Sequence, residues 1–226
     1  MRKNLNLFER VIRLLMGFLL VFSALVFFEN TVAKVAIALF GAFSFFEAAS
    51  GFCLLYQRLG LRDHKNYLSA EAAYLMAAVG AQVVLSYEWL SAGWEKIINP
   101  AFVGDMGKTL GYFAGQNPFG WYKSFLTGFA AQNSALFGYL VAWGEFAIGL
   151  GLLVGAFVYA FAARDGLKRA ALGVSILALL GGLVMNANFY LAAGWTGPGT
   201  HGINVVMFWL QAILFYVWLN LALSRK

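Results

Sequence analysis

Apolar residues run along this chain in six long stretches, roughly 11–28, 33–56, 72–94, 135–161, 170–191 and 203–222. Each is near the ~20 residues that an α-helix needs to cross the hydrocarbon core of a bilayer. The pattern predicts six membrane-spanning helices. The first follows "MRKNLNLFER", a basic start of the kind that opens a secretory signal. The run is long, and "FSALVFFEN" offers no small-x-small cleavage site, so it reads as an uncleaved span.

Basic residues set the expected orientation. Arg2, Lys3, Arg10, Arg13, Arg58, Arg62, Lys65, Arg164, Lys168, Arg169, Arg225 and Lys226 fall on one side of a six-span layout. Only Lys34, Lys96, Lys108 and Lys123 fall on the other. Both termini are therefore expected in the cytoplasm, with segment 95–134 and the turn 192–202 outside.

Composition agrees with the pattern. The chain is 62% hydrophobic and 12% charged, against roughly half apolar and a quarter charged in soluble domains. The net charge of +6 is explained by the basic cytoplasmic loops and calls for no nucleic-acid partner. One cysteine, Cys53, leaves no internal disulfide framework. His64 and His201 are far apart in sequence, and no zinc-type Cys/His spacing is present. No GxGxxG nucleotide-binding fold, phosphate loop or CxxC is suggested, so neither metal nor flavin is indicated.

Segment 95–134 is unusual for a linker. It mixes aromatics with few charges and has Asn-Pro pairs at 99–100 and 117–118, which start turns. Glycines at 107, 111 and 115 have the spacing that lets backbones approach closely. The segment reads as interfacial and amphipathic, and equally as a lid over a site at the outer surface. Spacings at Gly151 and Gly155, with Gly181–Gly182, fit close helix packing.

Residues 1–63 resemble the two-helix membrane domain of the inner-membrane protein YgaP-like family. "RKNLNLFERVIRLLMGFLL" and "GFCLLYQRLGLR" carry the resemblance. Leu54 stands where that family usually has a proline, while Cys53, Tyr56 and the Leu59–Gly60 pair remain. Residues 70–226 resemble the DoxX/DoxD superfamily through "GWEKIINPAF", "NPFGWYKSFL", "WGEFAIGLGLLVG" and "NFYLAAGWTGPGTHGIN". The insertion at 95–134 looks more like the DoxD branch, the large subunit of thiosulfate:quinone oxidoreductase. The resemblances imply an all-α polytopic protein of a bacterial-type inner membrane, a helical hairpin fused to a four-helix bundle. They imply oxidation of a small sulfur compound, thiosulfate to tetrathionate, with electrons passed to membrane quinone. Lipid, quinone, a small sulfur anion and a small partner subunit are the implied partners, and an oligomer is compatible. The alternative is a non-catalytic scaffold or sulfur-compound transporter working with a soluble redox or rhodanese protein.

The candidate chemistry sits toward the outer side. Glu88 and Glu95 are seven residues apart and share a helix face. Glu88 lies ~10 Å deeper, from the helical rise. Together with Glu145 it is expected to exchange protons with a quinone, since partly desolvated carboxylates titrate nearer neutrality. The plainer reading is that Glu88 and Glu145 bond to each other, to Asn186 or to Gln211, and hold the bundle. Lys96, Lys123 and His201 supply positive charge for an anion, with Asn204 one turn beyond His201 and Gln211 seven residues further. Glycine-flanked N–H groups near the last helix add an anion cradle. Snorkelling of Lys123 and helix capping by His201 are the bland alternatives. Trp94, Trp121 and Trp195 are interfacial anchors or walls for a quinone ring. Glu47 reads as a helix-bundle contact ahead of a functional acid. Cys53 reads as a small buried hydrophobe, with a persulfide-accepting role implied only by the rhodanese-linked family.

Overall fold

The computed structural model describes residues 3–26, 28, 30–58, 70–115 and 117–224. The Leu59–Gly60 pair, His64 and the basic residues Arg2, Arg62, Lys65, Arg225 and Lys226 lie outside the described residues. All regular structure among the described residues is helical. The chain divides into two units, Met1–Ala73 and Tyr74–Lys226.

In the first unit, helices α1 (Leu7–Val26) and α2 (Thr31–Ser50) form an antiparallel hairpin. Asn6 and Glu9 begin α1 with a reciprocal capping box: each side chain accepts from the other's backbone N–H at 2.8 Å. Asn30 caps α2 by accepting from the N–H groups of Val32 and Ala33. Gly51, at φ 67°, stops α2 in the left-handed conformation that glycine adopts without a steric penalty. The helix therefore ends sooner than the expected 33–56 run, and a short helix α3 (Leu54–Arg58) follows. Gly17 and Gly41 face each other across the hairpin, and a Cβ on either would lie 3.1 Å from the other's carbonyl oxygen. The first residues are strapped onto the turn after α2, since Asn4 exchanges two hydrogen bonds with the Cys53 backbone.

The second unit is a four-helix bundle of α4 (Ala70–Ile98), α8 (Ser134–Phe161), α9 (Asp165–Ala193) and α10 (Pro198–Ser224). The intervening segment forms α5 (Pro100–Gly104), α6 (Met106–Gly115), α7 (Gly120–Phe125) and a π-helical turn, Leu126–Ala130. Neighbouring long helices run antiparallel and close up at small residues. On α8, Gly149 meets the Leu90 backbone of α4, where a Cβ would lie 2.6 Å from its nitrogen. Gly155 leaves room for Ser175 of α9, and Gly182 of α9 for the Gln211 carboxamide of α10. Without a hydrophobic driving force between helices in lipid, such close backbone packing is what holds a bundle together.

Gln82 ties all four long helices together. Its Nε2 donates to Leu152 O of α8 at 2.8 Å and to Ser175 Oγ of α9 at 2.9 Å. Its Oε1 accepts from Trp218 Nε1 of α10 at 2.5 Å. Leu85, Trp89, Leu152, Leu179 and Leu214 surround it as the core.

Among the described residues, five helices are long and apolar enough to cross a membrane: Thr31–Ser50, Ala73–Ile98, Ser134–Phe161, Asp165–Ala193 and Pro198–Ser224. Helix α1 differs because Glu9, Arg10 and Arg13 occupy its first two turns.

Segment 95–134 builds a small core of its own. Met106, Leu110, Ala114, Tyr122, Leu126 and Ala130 are buried together and packed by Phe125, Phe137 and Leu191. Of the glycines at 107, 111 and 115, only Gly107 meets a helix, at Ser134 of α8. A Cβ at Gly111 or Gly115 would meet nothing within 4 Å. The buried stripe of α6 is Met106–Leu110–Ala114, one residue out of phase with those glycines.

Candidate functional site

The inward stripe of α4 runs Ser86, Trp89, Gly93 and Lys96, at steps of three and four residues. Trp89 and Gly93 face the bundle, and the Gly93 backbone lies directly against Phe146 of α8. That close approach brings the end of α4 against α8 one turn from Glu145. Lys96 Nζ lies 2.7 Å from Glu145 Oε2. The ammonium also donates to Ala92 O at 3.2 Å and sits 5.9 Å from the centre of the Phe102 ring. Glu145 is only 3% exposed, while Lys96 is half-buried. An isolated carboxylate at that burial would be very costly, and a paired one is tolerated. Lys96 is thus one ammonium shared by a buried acid, a backbone carbonyl and an aromatic face, with its outer side still accessible.

Glu88 and Glu95 lie off the inward stripe of α4 and are exposed. Glu145 takes Lys96 as its partner, not Glu88, so the expected acid pair across α4 and α8 does not form. The reason is phase. Glu88 sits one residue before buried Trp89, and Glu95 one before Lys96, which turns both acids about 100° off the inward stripe.

The other expected residues are spread along this end of the bundle. His201 is exposed, with its ring edge-on to Tyr190 at 5.2 Å between centroids. Asn204 is buried and donates to Thr200 O at 2.8 Å. It heads an inward stripe on α10 with Gln211 and Trp218, all three buried. Lys123 is exposed and reaches Gly115 O at 3.4 Å. Among the described residues no hydrogen bond or ion pair joins Lys123 or His201 to Lys96 or Glu145.

The three tryptophans occupy separate environments. Trp94 is exposed beside Phe146, Trp121 is exposed and edge-on to Tyr122, and Trp195 donates to Ala192 O at 2.8 Å. Among the described residues no ring contact joins two of them, so they do not form one aromatic wall. The insertion is pinned to α9 instead by Asn117, which donates to Leu191 O at 2.9 Å, and by the Tyr122 hydroxyl against Asn188.

In the first unit, Arg13 organises a second polar cluster. Its Nη1 donates to buried Glu47 Oε2 at 2.5 Å and its Nη2 to Cys53 Sγ at 3.3 Å. The guanidinium also stands 5.5 Å from the centre of the Tyr56 ring. Arg10 caps the end of α2 by donating to the carbonyls of Ala48 and Ala49, where a cation also opposes the helix dipole. Glu47 is here the bundle contact that the sequence suggests, and Cys53 is fully buried.

Sequence reasoning missed Gln82, Ser175 and Trp218 as polar partners, and Arg13 as a bundle cation. A glutamine in mid-span is itself a usable signal, because uncompensated amides are costly in lipid.

The model of the inner membrane protein YgaP-like transmembrane domain matches residues 1–67. No curated protein and no solved structure matches the chain. With that match and its long apolar helices, the protein is a multi-pass membrane protein whose apolar faces contact lipid.

Proposed function

We propose that the protein is a membrane oxidoreductase that oxidises a small sulfur anion, thiosulfate to tetrathionate, and reduces membrane quinone. Two thiosulfate ions each lose one electron and join through a new S–S bond. The two electrons, together with two protons taken up from water, convert quinone to quinol. The observation that carries this reading is the buried Lys96–Glu145 pair, one half of which remains accessible.

A dianion approaching Lys96 competes with Glu145 for the same ammonium. The displaced carboxylate is then buried without a partner, and taking up a proton relieves that cost. Anion arrival and proton loading are thereby linked at one site, which a reaction consuming an anion and delivering protons requires. Exposed Lys123 adds positive charge that attracts the anion, and the exposed His201 ring adds a hydrogen-bonding group. Glu88 and Glu95, both exposed, are proton-accepting groups along the outer face of α4. Residues 70–226, including Glu145, carry the DoxX/DoxD-like sequence that motivates the choice of substrate. In this reading α1 is a sixth span, its arginine neutralised by Glu47, both termini are cytoplasmic, and the membrane is a bacterial-type inner membrane.

A second reading is a non-catalytic carrier or scaffold for sulfur compounds, working with a soluble redox or rhodanese protein. It is favoured by the fact that, among the described residues, Lys96 contacts an acid of the set while Lys123 and His201 do not. The same pair couples an anion to a proton without any electron transfer.

The test is thiosulfate-dependent reduction of a short-chain quinone by the purified protein in nanodiscs, alone and with any co-purifying subunit. Glu145→Gln and Lys96→Ala are expected to abolish turnover, and Glu88→Gln to reduce it less. Absence of turnover in every preparation, with thiosulfate uptake into proteoliposomes, selects the carrier.

A further inference from the structure

Between α9 and α10 lies a cavity of about 340 Å³, walled by Tyr190, Leu191, Val205, Phe208 and Trp209. Asn186 and Asn204 also line it, and Asn204 donates to Thr200 O within its own helix. The Asn186 side chain is 2% exposed, and its Nδ2 has no hydrogen-bond partner among the described residues. The amide lies one turn from Gly182, the position against which the Gln211 carboxamide and Trp89 ring pack. It therefore sits at the inner wall, where the cavity meets the polar centre of the bundle.

An unsatisfied buried donor carries its full desolvation penalty, and lipid offers it no water. A single water would satisfy it, yet the cavity has room for about eleven at ~30 Å³ each. Apart from the two asparagines, walls of leucine, valine and aromatic rings give so many waters little to bond. Its size falls at the lower end of small-molecule pockets, which are mostly apolar with a few placed polar groups. An occupant that fits is apolar, ring-sized, and accepts one hydrogen bond.

We propose that this cavity binds a membrane-soluble molecule through a carbonyl oxygen that accepts from Asn186 Nδ2, with Tyr190 and Phe208 flanking its apolar body. The carbonyl belongs either to a quinone ring or to the ester of a lipid. Its identification as the quinone rests on the oxidoreductase reading, and the site itself does not. The quinone is thereby placed within α9 and α10 instead of at Trp94, Trp121 and Trp195. Asn186 lies about 10 Å inside the end of α9, in the same half of the bundle as the end of α4 that carries Lys96.

The experiment titrates decylubiquinone into ester-lipid nanodiscs holding the full-length protein, with tryptophan fluorescence as the signal. Trp209, 62% exposed at the cavity wall, is a built-in reporter. Saturable quenching is expected in the wild type. Asn186→Leu, which removes an unsatisfied donor and keeps the fold, is expected to weaken it about tenfold. Val205→Trp, which fills the cavity without touching the amide, is expected to abolish it. Without saturable quinone binding, an ester lipid retained by the wild type through purification and lost from Asn186→Leu identifies the lipid as the occupant. Absence of both results overturns the proposal. Binding lost in both variants, with no turnover in the wild type, leaves the site standing and removes the oxidoreductase reading. Full quinone-reducing turnover in both variants removes the site and leaves that reading intact.

Discussion

Lys96 and Glu145 meet across α4 and α8 at 2.7 Å, with the carboxylate buried and the ammonium half-buried. Removing one member strands the other's charge, which for buried pairs costs about 3–5 kcal/mol. Glu145→Gln and Lys96→Met should each lower stability on that scale. The double variant Lys96→Met with Glu145→Leu should recover most of the loss, because an apolar pair of similar volume is tolerated. Unfolding in mixed micelles measures the three. Additive losses in the double variant would show that the two groups are not energetically coupled.

Gln82 is expected to be the most sensitive uncharged position in the bundle. Its carboxamide bonds α8, α9 and α10 at once. Gln82→Leu leaves Trp218 Nε1 buried without an acceptor, at about 1–3 kcal/mol. Combining it with Trp218→Phe should restore part of that stability, since both polar partners are then gone. Thermal unfolding in nanodiscs reads the comparison. A double variant no better than Gln82→Leu alone would place the cost in packing and not in the hydrogen bond.

Much of this architecture was legible in the chain. Each apolar stretch centres on a helix, though Gly51 divides 33–56 between α2 and α3, and the Asn99–Pro100 pair starts α5, with Asn99 accepting from the Ala101 N–H. The close contacts at Gly155 and Gly182 also follow from their spacing. What escaped is phase and partner choice. Trp89 and Trp94 look alike as interface residues, yet Trp89 is buried in the bundle and Trp94 is exposed. Reading Trp89 inward would have turned Lys96 inward and Glu88 outward. The Gln82–Trp218 contact spans 136 residues, and no local pattern encodes it. The glycines at 107, 111 and 115 satisfy a packing motif, yet only Gly107 has a neighbour, Ser134, and the face is open at Gly111 and Gly115. Spacing alone cannot tell a helix's buried face from its exposed one.

Cys53 should resist alkylation in the folded protein. It is fully buried, its backbone is held by Asn4, and Arg13 donates to its sulfur. N-ethylmaleimide labelling in nanodiscs should run at least about tenfold slower than in SDS, equivalent to a local opening cost of ~1.4 kcal/mol. Arg13→Ala should accelerate it by loosening α1 from Glu47 and from the turn at Cys53. Equal native and denatured rates would indicate a reachable thiol, and would favour a sulfur-accepting role for this residue.

Tyr122 gives the insertion a defined response to alkali. Burial holds its phenol above the usual tyrosine range, and its hydroxyl donates to the Asn188 side-chain oxygen at 3.2 Å. A raised folded-state value means that the native form keeps its proton where the unfolded chain has lost it. The stabilising contribution is complete below the unfolded value of ~10 and falls as pH rises through the folded one. Tyr122→Phe should therefore cost about 0.5–1.5 kcal/mol from pH 7 to 9 through the lost hydrogen bond. Above pH ~10 the gap should close, because only the wild type gains an ionisable phenol at this position on unfolding. Melting temperatures of both proteins across pH 7–11 in nanodiscs provide the measurement. A gap that stays constant beyond pH 10 would mean that the phenol titrates alike in both states, and that the insertion's core is open to water.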